Sequence, residues 1–139
     1  MAITEDYVSF ETAKLLKEKG FDQNCATYYL DGQVWRHYSG EVIPKGKQIY
    51  AAPTQAIAMK WLREVHHIFL SIQQHVDMSY VWYAYMDGFA KGCDRESHNN
   101  TYEQACEVAI KYCLENLIQN NYEEDRFISI YGVSNDKQL

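Results

Sequence analysis

Between Pro53 and Met86 the apolar period of the chain changes, and that change limits what the remaining residues can pack around. Ala58, Trp61, Leu62 and Val65 recur at helical spacing, Ile57 widens the stripe, and Lys60, Arg63 and Glu64 fall on the other side. Pro53 suits a first helical turn, where its missing N–H costs nothing, and Thr54 and Gln55 can serve the free amides, so the spacing predicts a helix from Pro53 to about Val65. The period then becomes two. Ile68, Leu70, Ile72, Gln74 and Val76 alternate with Phe69, Ser71, Gln73 and His75, Asp77-Met78-Ser79 is turn-like, and Tyr80 to Met86 is β-branched and aromatic. A helix feeding a hairpin follows, and the other segments read as packing onto it.

Upstream, Ser9 can cap a helix over about 10–19, with Glu11 in its first turn and Gly20 just past its last. Phe10, Ala13 and Leu16 are its inward residues, and Phe21 is placed to pack back on them. Asp31-Gly32 lies between two strand-like runs, Ala26 to Leu30 and Gln33 to Tyr38, and suits the positive φ values of a two-residue type I′ turn. Ser39 to Gln48 reads as a loop. Downstream, Asp87 to Asn100 reads as a second long loop because it is polar and holds two glycines. Thr101 and Gln104 then fit a capping box that starts the longest helix, with the stripe Ala105, Cys106, Ala109, Ile110, Cys113, Leu117 and Ile118, ending near Asn120-Asn121. The expectation is an α+β fold: an antiparallel sheet from two hairpins with three helices on one face, in the order αββ-αββ-α. Residues 1–121 form one domain in this reading, and residues 122–139 form a tail whose strand-like run from Arg126 to Val133 could add an edge strand or reach a neighbouring molecule. The order only suggests an internal duplication, since the two units do not align residue by residue.

A chain of 139 residues is long enough to bury a core without staples. The first residues are acidic and no apolar run nears the roughly 18 residues of a membrane span, so a cytoplasmic protein is expected. Cys25, Cys93, Cys106 and Cys113 include no close C-x-x-C pair, and Cys106 and Cys113 lie two helical turns apart, so reduced thiols are expected. The net charge of −6 is unevenly spread: residues 33–63 carry five basic side chains against one acidic, whereas residues 64–139 carry five against twelve. An acidic chain repels nucleic-acid polymers, which disfavours them as partners.

The basic middle segment raises one candidate site. Arg36, Lys45, Lys47, Lys60 and Arg63 surround the start of the second helix, where Thr54 and the first amides favour an anion through free N–H groups and the helix dipole. No phosphate-cradling glycine pattern accompanies them, and such cations are often a solvated face. A second candidate is aromatic. With twelve tyrosines and three tryptophans in the chain, Tyr80 to Met86 is bulky on both faces: Tyr80, Trp82 and Met86 on one, Val81, Tyr83 and Tyr85 on the other. One face should pack on helices, and the second needs another cover, such as a protein partner, a second copy or a flat ligand, unless its tyrosines simply tolerate half-exposure. Tyr83 and Tyr85, with Phe127 and Ile130 of the tail, are the expected interface residues. Cys93, Asp94 and His98 could be drawn as a thiol nucleophile with its base, but no oxyanion-hole motif, nucleophile elbow, Walker loop or dinucleotide fingerprint is present, so no catalytic residue is assigned. Of the histidines, only His66, His67 and His75 are near in sequence, and adjacent His66 and His67 point apart if extended, so no metal site and no cofactor is expected.

Three strings carry a resemblance. Tyr7 to Asp22, then Ala52-Pro53-Thr54-Gln55-Ala56 leading to Lys60-Trp61-Leu62-Arg63-Glu64, and Thr101-Tyr102-Glu103-Gln104-Ala105 resemble short uncharacterised proteins encoded by phages, prophages and mobile elements of Bacteroides-type gut bacteria. The resemblance covers most of residues 7–118 and implies a genetic context, not a reaction, and it brings no catalytic residues with it. Together the features lead to the expectation of a non-enzymatic accessory protein that binds a protein partner or itself, as a homodimer in which the tail docks on a second copy. The alternative is a protein that binds or sequesters a nucleotide or other phosphorylated signal, for example in counter-defence.

Overall fold

The computed structural model describes residues 1–36, 46 and 48–119. Three helices, α1 (Phe10–Glu18), α2 (Gln55–His66) and α3 (Tyr102–Asn116), pack with two antiparallel three-stranded sheets. The first sheet holds β1 (Thr27–Leu30), β2 (Gln33–Arg36) and β3 (Ile49–Ala51) in the order β2-β1-β3; the second holds β4 (Ile68–Gln74), β5 (Tyr80–Met86) and β6 (Phe89–Asn99) in sequence order. The chain is thus α+β, with both expected hairpins in place. Each hairpin gains a third strand, and the strands divide into two sheets where a single one was expected. The sheets are not copies of one topology, because the first is centred on its first strand and the second on its second.

Local chemistry explains the element ends. Ser9 caps α1 by accepting from the Thr12 amide, and Gly20 closes it at φ +97°. Gly20 N–H donates to Lys17 O and Phe21 N–H to Leu16 O, the paired bonds of a Schellman motif, which brings Phe21 back onto the helix as expected. Asp31 and Gly32 adopt φ 53° and 77°, the type I′ signature. α2 is capped by Thr54, whose hydroxyl accepts from the Ile57 amide, so Pro53 precedes the helix and does not form its first turn. His67 ends α2 in the left-handed region, and β4 begins at the next residue.

The core lies where the helices meet the inner face of the second sheet. Ala58, Trp61 and Leu62 of α2, Ala109, Ile110, Cys113 and Leu114 of α3, and Ile68, Leu70, Trp82 and Ala84 of the sheet are all buried there. Val65 and Ile57, expected on the inward face of α2, are 53% and 46% exposed. Only the stripe through Ala58 and Leu62 faces the core, and the widened stripe wraps past the contact into solvent. α3 ends at Asn116, one turn before the expected Asn120-Asn121.

The larger correction concerns residues 87–100, where Phe89–Asn99 forms an eleven-residue edge strand in place of the expected loop. Asp87 and Gly88 take φ 52° and 83° between paired Met86 and Phe89, repeating the turn of Asp31-Gly32. The polar composition that suggested a loop is that of an exposed edge, where charges discourage further pairing. Two register shifts, between Tyr80 and Trp82 and between Ala84 and Tyr85, bend this strand against β5.

Candidate interaction surface

The pleat of β4, β5 and β6 sorts side chains into rows across the strands. The rows Ile68–Met86–Phe89, Leu70–Ala84–Gly92 and Ile72–Trp82–Asp94 start in the helix-covered core. Alternation turns the intervening rows, Phe69–Tyr85–Ala90 and Ser71–Tyr83–Cys93, to the opposite face. Phe69 is 53% exposed, Ala90 and Cys93 are exposed, and Tyr83 and Tyr85 are half-buried with their rings stacked at a centroid distance of 6.5 Å. None of the five belongs to the core cluster. Val81, on the same face beside Gln73, is fully buried, so this surface is closed at its Val81 end and open at its Phe69–Tyr85 end. An open platform of one phenylalanine and two stacked tyrosines offers apolar area with hydroxyls at its rim, a composition typical of protein-binding patches.

The expected anion site is not gathered among the described residues. Thr54 is engaged as the α2 cap. Arg63 lines a cleft of about 330 Å³ whose other charged residues are Glu5, Asp6 and Glu103, whereas Lys60 lines a separate groove with Glu64. The cleft's carboxylates sit at the N-terminal ends of α2 and α3, where negative charge offsets the helix dipoles. Gln55 ties the two ends together, its amide donating to Asp6 O and its side chain to Glu103 O, both at 2.9 Å. Arg36 ends β2, and its side chain lies outside the described residues, as do Lys45, Lys47, and the tail residues Phe127 and Ile130.

The drawn pairing of Cys93 with His98 does not form. Cys93 sits opposite Tyr83 in mid-strand, while His98 Nδ1 lies 2.6 Å from Ser79 Oγ and 3.5 Å from Asp77 Oδ2 in the far turn. Asp77 Oδ1 accepts from both the Ser79 amide and hydroxyl, which holds the Asp77 carboxyl below its usual range. Ser79, His98 and Asp77 resemble a catalytic set in composition only. A working triad places the imidazole between hydroxyl and carboxylate, one on each ring nitrogen, and here both approach Nδ1. The three close the β4–β5 turn onto the end of β6, with His75 packed edge-on to His98 at 5.3 Å. Cys106 and Cys113 are buried thiols pushed up to about 11 and about 12 by desolvation, which removes the thiolate needed for chemistry. Among the described residues no group of three or more His, Cys, Asp or Glu could hold a metal ion, and no helix is long and apolar enough to cross a membrane.

Sequence reasoning missed a polar link between α1 and α3. Glu107 of α3 reaches the N-terminus of α1, accepting from Ser9 N at 3.3 Å, from Ser9 Oγ at 2.6 Å and from Thr12 Oγ1. Beside it, Tyr29 donates to Val8 O, and burial with the nearby Glu107 charge pushes its phenol up. The arrangement is a cap shared between helices 98 residues apart, and no local pattern announces it. No family model matches the chain, and neither does any curated protein or solved structure.

Proposed function

We propose that this chain is a non-enzymatic accessory protein of a phage or mobile element that works by binding another protein through the open face of the second sheet. The observation carrying the reading is the Phe69–Tyr85 platform: apolar, aromatic, supported from behind by a fully packed core, and outside that core. The genetic context rests on the resemblance of Tyr7 to Asp22, Ala52 to Glu64 and Thr101 to Ala105 to such proteins. A cytoplasmic location in a bacterial host belongs to the same reading.

The partner is a protein surface able to cover a flat aromatic patch, and a second copy of the chain is the first candidate to test. Phe69→Asp and Tyr85→Asp place a charge on the platform without touching the core. The binding experiment compares light-scattering mass, and the set of host proteins retained, for wild type and both variants, with circular dichroism as the check on folding. Association lost in both folded variants is the expected result. Identical behaviour of all three proteins overturns the assignment. Sequestering a phosphorylated signal is the reading with less support, because Lys60 and Arg63 face different clefts. A thermal-shift screen with nucleotides separates the two, since a ligand at a hundredfold excess over its Kd adds about 2.7 kcal/mol of stability.

A further inference from the structure

The cleft of about 330 Å³ that Arg63 lines is formed by residues 4–6, one side of α2 and the start of α3, and the aromatic platform does not explain it. Its volume lies at the lower end of the roughly 300–1,000 Å³ typical of small-molecule sites. Ala56, Met59 and Cys106 give it an apolar wall, while Glu5, Asp6, Glu103 and Arg63 give it charge. Gln55 lines it too, and only 8% of that residue is exposed. The Gln55 side-chain amide N–H donates to Glu103 O and its main-chain N–H to Asp6 O, both at 2.9 Å, which fixes the side chain between the two acidic residues. Its Oε1 accepts from no donor among the described residues and is not sealed from the cleft, although a side-chain amide buried to this extent is normally paired at both ends.

We propose that this cleft is a binding site for a small organic monocation, an aliphatic amine whose ammonium group meets Gln55 Oε1 and the carboxylates while its stem lies on the apolar wall. The charge balance sets the sign of the ligand. Three carboxylates outweigh one guanidinium and the roughly half positive charge of each helix N-terminus, which leaves about one negative charge unmatched in the cleft. Among the described residues no ion pair joins Arg63 to these carboxylates, so their oxygens are open to a ligand. They also converge. Desolvation is the main cause that pushes the Cys106 thiol up to about 11, and the charges of Glu103 and Asp6 add to it, so both are felt at one point of the cleft wall. An ammonium group brings three donors and no acceptor, which suits a site whose unpaired atoms are acceptors, whereas a carboxylate or phosphate would meet like charge. Arg63 opposes a cation and keeps its affinity low. This inference stands apart from the platform reading and does not depend on it.

Titration of the full chain with n-butylammonium chloride at constant ionic strength, followed by amide nuclear magnetic resonance, reads the site directly. Saturable shifts of the Gln55 side-chain amide and of the Ala56, Met59 and Glu103 amides are expected, with a Kd on the order of millimolar for so small a probe. Sodium butyrate over the same range should leave those resonances in place. Three variants at exposed positions then test the charges, with circular dichroism as the check on folding. Glu103→Gln should weaken binding about threefold or more, and Arg63→Gln should tighten it by a similar factor. Glu18→Gln makes the same change of net charge on α1, outside the cleft, and should leave the Kd unchanged. Shifts that do not saturate, or that butyrate reproduces, overturn the proposal. So does an equal effect of Glu103→Gln and Glu18→Gln, which would reduce the binding to a general attraction of an acidic chain for cations.

Discussion

Gly92 has no side chain because Tyr112 occupies the space that one would fill. A Cβ built there would lie 2.8 Å from the Tyr112 Cζ, and the ring is held against Trp82 at 4.9 Å. The phenol also donates to Lys91 O at 3.4 Å, on the strand residue left over at the second register shift. Gly92→Ala forces Tyr112 off the sheet and should cost about 1 kcal/mol, read as a lower denaturant midpoint. An unchanged midpoint means the ring relaxes freely and does not pin β6. The thiols make a second prediction. At pH 8 a disulfide reagent should modify exposed Cys93 first and half-buried Cys25 more slowly, leaving Cys106 and Cys113, raised to about 11 and about 12, for the unfolded protein. Fast modification of four thiols in the native state would place α3 outside the core. At this scale the sequence was legible where the cause is local: Ser9, Thr54, Thr101 and Asp31-Gly32 all act within four residues. Gly92 and Glu107 act on partners 20 and 98 residues away, and their roles depend on the fold.

The elements follow the same division between local and distant causes. α3 begins at the expected place: Thr101 Oγ1 accepts from the Gln104 amide at 3.0 Å. The return bond differs by one residue, since Gln104 Oε1 accepts from Asn100 N–H at 3.1 Å instead of from Thr101. Thr101→Ala should therefore lose about 0.5–2 kcal/mol, measured by chemical denaturation, and no loss would move the helix start. Leu62→Ala removes a fully buried side chain from the face of α2 that meets α3 and β4, and should cost roughly 2–5 kcal/mol in the same assay. Val65→Ala should cost far less, because Val65 is half exposed. Periodicity identified the α2 helix and its centre, but could not say how wide a stripe its neighbours would cover. β6 was hidden for a different reason. From Lys91 to Asn99 the one apolar side chain is Cys93, so no apolar alternation marks the strand, and the Asp87-Gly88 turn before it was the one signal available.

For the whole molecule, the helices cover one face of the second sheet and leave the Phe69–Tyr85 end of the other open. The bulk of Tyr80 to Met86 on both faces was readable from the residues alone, and the structure assigns Trp82 and Ala84 to the core and Tyr83 and Tyr85 to the surface. The charge map was less informative. Lys60 and Arg63 are only about 60° apart around α2, at about 100° per residue, yet they line different clefts, and each faces carboxylates there. Site-specific photo-crosslinking in the bacterial host tests the platform most directly. A photoreactive phenylalanine analogue at position 69 should give a discrete adduct of higher mass, and the same analogue at position 115, an exposed residue of α3, should not. The absence of an adduct from position 69, or the same adducts from both positions, would contradict a binding role for this face.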